Sequence, residues 1–258
     1  MPVKVCILTT VHQPFDTRIF HKEAKTLVQS GYDVTLIAQH NKNEIIDGVR
    51  IIALQKPKNR FFRIFFLTWK AYKSALKQKA DIYHFHDPEL LPWMVKLKRK
   101  TGTKVVYDVH EDYPNDILSK LWIPRFFRVI IANCFNQYEK KQAKDLSFVI
   151  AAWSKIKEKF KKAGVNNVEI ITNYPILEYF NQMPNKMGID TDKSEVKLIY
   201  VGGLTAIRGI KEIVKSLGFI KNKKTKLILV GKFQEERLKE ELKTMPEWQK
   251  VTFKGWLS

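Results

Sequence analysis

Four short stretches hold side chains whose types and spacing could do chemistry. In Asp81-Ile82-Tyr83-His84-Phe85-His86-Asp87-Pro88 two histidines stand two residues apart. On a strand, that spacing places both on one face. A His-x-His pair suits a transition metal. No third ligand stands at a recognisable spacing, and packing of at least one imidazole in a core competes with that reading. Tyr107-Asp108-Val109-His110-Glu111-Asp112-Tyr113-Pro114 gathers acids and an imidazole. It is not HExxH, because residue 114 is Pro. Such groups at a strand end suit a polar cleft for sugar hydroxyls and proton transfer; a capping cluster for the next turn is the alternative. Residues 10–18 form a loop in which Asp16 or Thr17 can cap the following helix. Arg18 then falls in the first turn, where the helix dipole disfavours a cation. It needs another partner, a carboxylate or a bound phosphate. Asp190-Thr191-Asp192 has the look of a metal-binding DxD but falls in a presumed linker.

The fourth stretch, Val201-Gly202-Gly203-Leu204-Thr205-Ala206-Ile207-Arg208-Gly209-Ile210, reads strand, glycine turn, helix. Backbone N–H groups and the helix start make such a turn a candidate anion site, typically for phosphate. Gly202 and Gly203 permit close backbone approach. Arg208 can add bidentate, charge-assisted hydrogen bonds. The spacing matches neither GxGxxG nor GxxxxGK[ST], and a plain turn with packing glycines remains the alternative.

The elements that must position these groups alternate. Apolar runs predict strands at 3–9, 33–38, 49–54, 82–85, 104–109, 148–152 and 168–171. Helical patterns lie at 18–30, 61–79, 89–100, 124–144 and 154–163. This βα alternation predicts a parallel α/β sheet covered by helices. Residues 181–195 are polar, contain Pro184 and Gly188, and read as a linker between a domain at 1–180 and a unit at 196–258. That second unit predicts strands at 196–201, 226–230 and 251–253, with helices at 209–220 and 234–244. A βαβαβ unit of this kind covers mainly one sheet face, so an open face and an open edge at 251–253 are expected.

The chain has 258 residues, 46 Lys+Arg against 26 Asp+Glu, and a formal net charge of +20. A surface so basic favours anionic partners, although a solvated lysine-rich surface explains part of it. Residues 56–79 hold eight Lys/Arg and no acid, with Phe61, Phe62, Phe65, Phe66 and Trp69 crowded into the first half. This suits an anionic membrane face; packing on the sheet accounts for the aromatics equally well. No nucleic-acid module accompanies the basic residues, so no nucleic-acid partner is expected. Cys6 and Cys134 both read as small core hydrophobes, without a disulfide framework. The N-terminus lacks a signal-peptide pattern, and no apolar run is long enough to span a bilayer. A cytoplasmic protein, peripheral at the inner face of the membrane, is expected.

In order, FDTRIFHKEAKTLVQSGYDVTLIA, DIYHFHDPELLP, VVYDVHEDYP, VEIITNYP, YVGGLTAIRGI, KLILVG and VTFKGWLS resemble family 4 of the retaining glycosyltransferases. The resemblance spans essentially the whole chain. It implies a GT-B fold of two Rossmann-like domains, the first on the acceptor side and the second binding a nucleotide-diphosphate sugar. No cofactor and no metal are implied. By matching position, His110 would line the sugar pocket as the catalytic-site histidine. Gly202, Gly203, Arg208 and Gly209 would meet the donor diphosphate. Asp16, Arg18, His86 and Glu111 would lie on the acceptor side, and Asn173 and Pro175 would enter the linker. The implied reaction transfers a hexose-type sugar, with retention, to a glycan or lipid-linked acceptor in cell-surface polysaccharide synthesis. Three departures stand out. Gly203 occupies a position where many relatives carry Arg. The first loop lacks a glycine pair. The family's glutamate-containing donor segment would lie beyond Ser258, so the chain reads as an acceptor domain plus a partial donor domain, possible as a short form inactive alone. The alternative is a non-catalytic acceptor- or membrane-binding module that takes its donor half from a partner; a non-hydrolysing sugar-nucleotide epimerase fits the motif order less well.

Overall fold

The computed structural model describes residues 1–120, 123–177, 196–222 and 224–257. The chain divides into two compact units, Met1–Gln182 and Met183–Ser258. The expected linker at 181–195 lies outside the described residues.

The first unit is built on an eight-stranded sheet. Its strands are β1 (Lys4–Leu8), β2 (Asp33–Gln39), β3 (Glu44–Ile46), β4 (Val49–Leu54), β5 (Ile82–Phe85), β6 (Lys104–Val109), β7 (Phe148–Ala151) and β8 (Val168–Ile170), in the order β3-β4-β2-β1-β5-β6-β7-β8. Every pairing is parallel except β3 with β4. β3 was not among the expected strands. Its hairpin turns on Asp47 and Gly48, both at positive φ (51° and 79°). Asp-Gly is the favoured pair where both central residues must take left-handed angles, so the signal was present in the sequence.

Alternation divides the sheet between two cores. Cys6 and Leu8 of β1, Tyr83 and Phe85 of β5, and Tyr107 and Val109 of β6 join one cluster with Tyr72, Met94 and Phe160. Val5 and Ile7 join Ile19, Phe20, Val34 and Leu36 on the other face. Residues of opposite parity on β5 and β6, His84 and Asp108, therefore face the helical segment that carries Ile19 and Phe20. That parity assembles the site described below.

Helix Arg125–Ala143 leaves Phe126, Phe127, Val129, Ile130 and Ile131 exposed. Cys134 on the same helix is exposed too, which corrects the expectation of a core cysteine; Cys6 is buried. A short helix at Tyr113–Ser119 adds to the expected elements. The basic aromatic segment is helical through Arg60–Phe62, Arg63–Leu67 and Thr68–Gln78. Phe61, Phe62, Ile64, Phe65, Phe66 and Trp69 are exposed, and burial begins at Leu67 with Ala71, Tyr72 and Ala75. Among the described residues no helix is long and apolar enough to cross a membrane.

The second unit has β9 (Lys197–Val201), β10 (Lys226–Val230) and β11 (Val251–Gly255), parallel and in the order β11-β10-β9. Leu227 and Leu229 pack with Leu204, Ile210, Val214, Leu238 and Leu242. Ile199 and Val201 of β9, two apart and thus on one face, are exposed, as is Phe253 of β11. Gly231, at φ 144°, closes this unit tightly. A Cβ there would stand 1.8 Å from the Gly202 carbonyl oxygen. Gly231→Ala is expected to destabilise by about 3 kcal/mol or more, from backbone strain and clash together. Urea unfolding checks it; a loss under about 1 kcal/mol would mean that the backbone yields.

Candidate functional site

Ligands of open α/β sheets bind at the carboxyl ends of the strands. In the first unit those of β1, β5 and β6 bring together most of the chemistry-bearing residues. Asp87, just past β5, anchors the loop that follows β1. Its Oδ2 accepts from Thr9 Oγ1 (2.8 Å), Thr10 N (2.5 Å) and Val11 N (3.2 Å). Thr10 Oγ1 also donates to Glu89 Oε1 (2.7 Å), which Arg63 Nε meets at 3.0 Å.

Asp16 is the cap of the next helix, accepting from Arg18 N (2.8 Å) and Ile19 N (3.0 Å). Its other oxygen faces His12 Nδ1 at 3.6 Å. The His12 contact, with the capped amides, holds the Asp16 carboxyl well below the usual range, and the same contact raises His12.

Arg18 is 6% exposed. Its guanidinium grips Asp108 through Nε–Oδ2 (3.0 Å) and Nη2–Oδ1 (3.0 Å), meets Glu23 Oε1 at 3.0 Å and donates to the Ile171 carbonyl at 3.2 Å. The partner is thus a carboxylate, and this side chain is turned inward; His86 is 0% exposed. Arg18 belongs to the helical segment Thr17–Ala24, which is a π-helix and packs over His86. Its i→i+5 hydrogen bonding sets Arg18 and Glu23, five apart, over the same site. Sequence reasoning missed Glu23, because on an ordinary helix residues three or four apart share a face.

Around Arg18 the imidazoles converge. His86 Nε2 lies 3.2 Å from Glu23 Oε2, and His84 Nε2 lies 3.7 Å from Asp108 Oδ2. Burial pushes the Glu23 carboxyl up to about 8. Burial acts on Asp108 in the same direction, but His84, His86 and Arg18 together hold it well below the usual range. Burial lowers His86.

His110 stands at the rim of this cluster. Its Nε2 is 3.4 Å from His12 Nε2, and its Nδ1 is 4.0 Å from Asp108 Oδ1. Burial, then the neighbouring His86, lowers it to about 4, so the imidazole is neutral near pH 7. Glu111 is exposed and lines a cavity of about 660 Å³ with His12, Arg63, Glu89, Tyr113 and Phe135. His110 adjoins this cavity through His12, and a neutral imidazole can donate or accept a hydrogen bond to a hydroxyl.

In the second unit the glycine turn is folded around Arg208. The turn leads through a 3₁₀ segment, Ala206–Arg208, and Gly209 (φ 71°) into the helix Ile210–Ser216. Arg208 is exposed and arches back over the turn: a Cβ on Gly202 would lie 3.2 Å from Arg208 Nη1, and one on Gly203 3.9 Å from its Nε. Tyr200 Oη donates to the Gly203 carbonyl at 3.1 Å. Among the described residues Arg208 has no carboxylate partner. Gly202, Gly203, Arg208 and Gly209 are thus one local cluster, with a guanidinium and open backbone side by side.

Residues 17–174 match the family model described as Glycosyltransferase Family 4. Among solved structures, sucrose-phosphate synthase from Thermosynechococcus elongatus is similar with a TM-score of 0.68 at 15% identity, over 99% of this chain and 71% of that one. A glycosyltransferase from Rickettsia africae gives 0.65 at 15% identity, over 100% and 69%. Anabaena Alr3699/HepE, in complex with UDP-glucose, gives 0.62 at 13% identity, over 99% and 69%. No curated protein sequence matches this chain significantly. These likenesses bear out the expected α/β, GT-B-type fold class.

Proposed function

We propose, from the premise that this chain belongs to glycosyltransferase family 4, that it transfers a hexose-type sugar from a nucleotide-diphosphate sugar to a glycan or lipid-linked acceptor, with retention. The observation that carries this reading is His110: a neutral imidazole held at the carboxyl end of β6, within the segment that matches the family, beside His12, which lines the cavity. His110 would hydrogen-bond a hydroxyl of the donor sugar. Arg208, exposed over Gly202 and Gly203, would stabilise the charge that builds on the departing diphosphate. Preorganised donors aimed at developing charge are the usual largest contribution to such catalysis. HepE, at 13% identity, is seen with UDP-glucose, which supports a nucleotide sugar as donor. Glu111 and the cavity it lines would receive the acceptor. Neither a cofactor nor a metal is assigned to donor binding. Incubation with a panel of nucleotide-diphosphate hexoses and membrane-extracted acceptors tests the reading; no donor bound and no sugar transferred would overturn it.

The same reading places the protein in the cytoplasm, at the inner face of the membrane, for cell-surface polysaccharide synthesis. Its support is the set of exposed aromatics Phe61, Phe62, Phe65, Phe66 and Trp69 among basic residues. Each such side chain buried in a bilayer interface is worth about 1.5–3 kcal/mol. Phe61→Ser with Phe65→Ser is therefore expected to weaken sedimentation with phosphatidylglycerol vesicles at least about tenfold. Unchanged sedimentation would remove the membrane from the proposal. The exposed aromatics also favour the alternative, a non-catalytic acceptor- or membrane-binding module, which predicts vesicle binding without donor binding.

A further inference from the structure

We propose that Glu23 Oε2, His84 Nε2 and His86 Nε2, with Asp108 Oδ2 as the fourth ligand, form a binding site for one divalent transition-metal cation of the zinc class. One donor atom from each of these four residues lies within 4.8 Å of all the others. The separations are 3.2 Å for His86–Glu23, 3.7 Å for His84–Asp108 and 3.9 Å for His84–Glu23. Ligands on a tetrahedral zinc ion, at the usual bond lengths, stand about 3.3 Å apart. The four atoms are thus close to a coordination shell already.

A further observation points to a cation. Glu23 Oε2, His84 Nε2 and His86 Nε2 are buried and have no hydrogen-bond partner, and neither has His86 Nδ1. Unsatisfied buried polar atoms are rare and costly. A proton shared between Glu23 and His86 would satisfy that pair. It would leave His84 Nε2 orphaned, because that atom stands 3.7 Å from Asp108 and 3.9 Å from Glu23, beyond hydrogen-bond reach. A metal ion satisfies Glu23 Oε2, His84 Nε2 and His86 Nε2 at once, with His86 Nδ1 left 3.7 Å from Asp108 Oδ2. Arg18 then acts as the outer partner that orients both carboxylates, as ligating carboxylates commonly require. Two imidazoles with two carboxylates suit zinc and its neighbours rather than magnesium or calcium. This departs from the expectation of a metal-free protein. That expectation saw only His84 and His86; the fold supplies the other two ligands from Thr17–Ala24 and β6.

The test uses the full chain, dialysed against a chelator and titrated with Zn²⁺ and with Co²⁺. One equivalent bound, a raised Tm and the visible bands of four-coordinate cobalt are expected. His84→Gln, His86→Gln and Glu23→Gln should each weaken binding at least about tenfold while the far-ultraviolet circular dichroism is unchanged. No stoichiometric binding overturns the proposal, and so does binding that all three variants retain. Should the variants not fold, the wild-type cobalt form decides. Paramagnetically shifted imidazole resonances from two histidines support the site; any other number overturns it.

Discussion

Arg208→Ala is expected to lower kcat/KM about 10²–10³-fold, the loss typical when one preorganised donor to a developing negative charge is removed. Arg208 is exposed, and among the described residues no carboxylate neutralises it, so its removal should leave stability within about 0.5 kcal/mol. Its guanidinium instead lies over Gly202 and Gly203, where a side chain on either glycine would meet it. In this chain Gly203 cannot contribute a second basic group, so on the proposed function the diphosphate role would fall on one side chain and the turn's backbone. Arg208→Lys should recover only part of the loss, because an ammonium cannot match the planar, bidentate fork. The measurement is the rate of sugar transfer with the donor varied, alongside a melting curve. Near-wild-type kinetics in Arg208→Ala would sink the assignment, whatever the identity of the acceptor.

Arg18→Met is expected to cost about 3–5 kcal/mol of stability, the usual penalty for removing one partner from a buried ion pair. The variant would leave the Asp108 carboxylate without its cation, beside Glu23, whose carboxyl burial already pushes up to about 8. Asp108 is fully buried, so water can do little to screen its charge. The loss also releases the Ile171 carbonyl that Arg18 binds across the chain. Arg18→Lys should restore less than half, since one ammonium cannot grip Asp108 at two points and still reach Glu23. Urea unfolding read by circular dichroism checks this. A cost under about 1 kcal/mol would show that the pair contributes nothing net, as an isosteric apolar replacement sometimes shows.

Much of the fold was legible because hydrophobic patterning is local. The strands at 49–54, 82–85 and 104–109 were expected with the bounds that β4, β5 and β6 take. β3 was passed over, although its Asp47-Gly48 turn is a recognised hairpin signal; three residues are too few to show alternation. The candidate site was legible residue by residue and illegible as an arrangement. Asp16 was seen as a cap, and Arg18 as a cation in need of a partner. That the partner is Asp108, 90 residues on, is a fact about strand order and parity. Cys134 looked like a core residue from its apolar neighbours. The helix that carries it buries only Ala132, Glu139 and Ala143, and composition alone does not say which face of a helix meets the sheet.

The alternation of strands and helices and the parallel sheet were legible in the sequence, because both follow from periodicity and local conformational preference. Only the tertiary structure decided which of the chemistry-bearing residues meet. The parity of β5 and β6 turned His84 and Asp108 onto one face, and the π-helical turn at Thr17–Ala24 set both Arg18 and Glu23 over them. His86, just past β5, completes the cluster, and His110 at the end of β6 keeps its neutral imidazole at the rim. Contacts made across such long stretches of chain depend on strand order and helix pitch, and neither is written in any short window of residues.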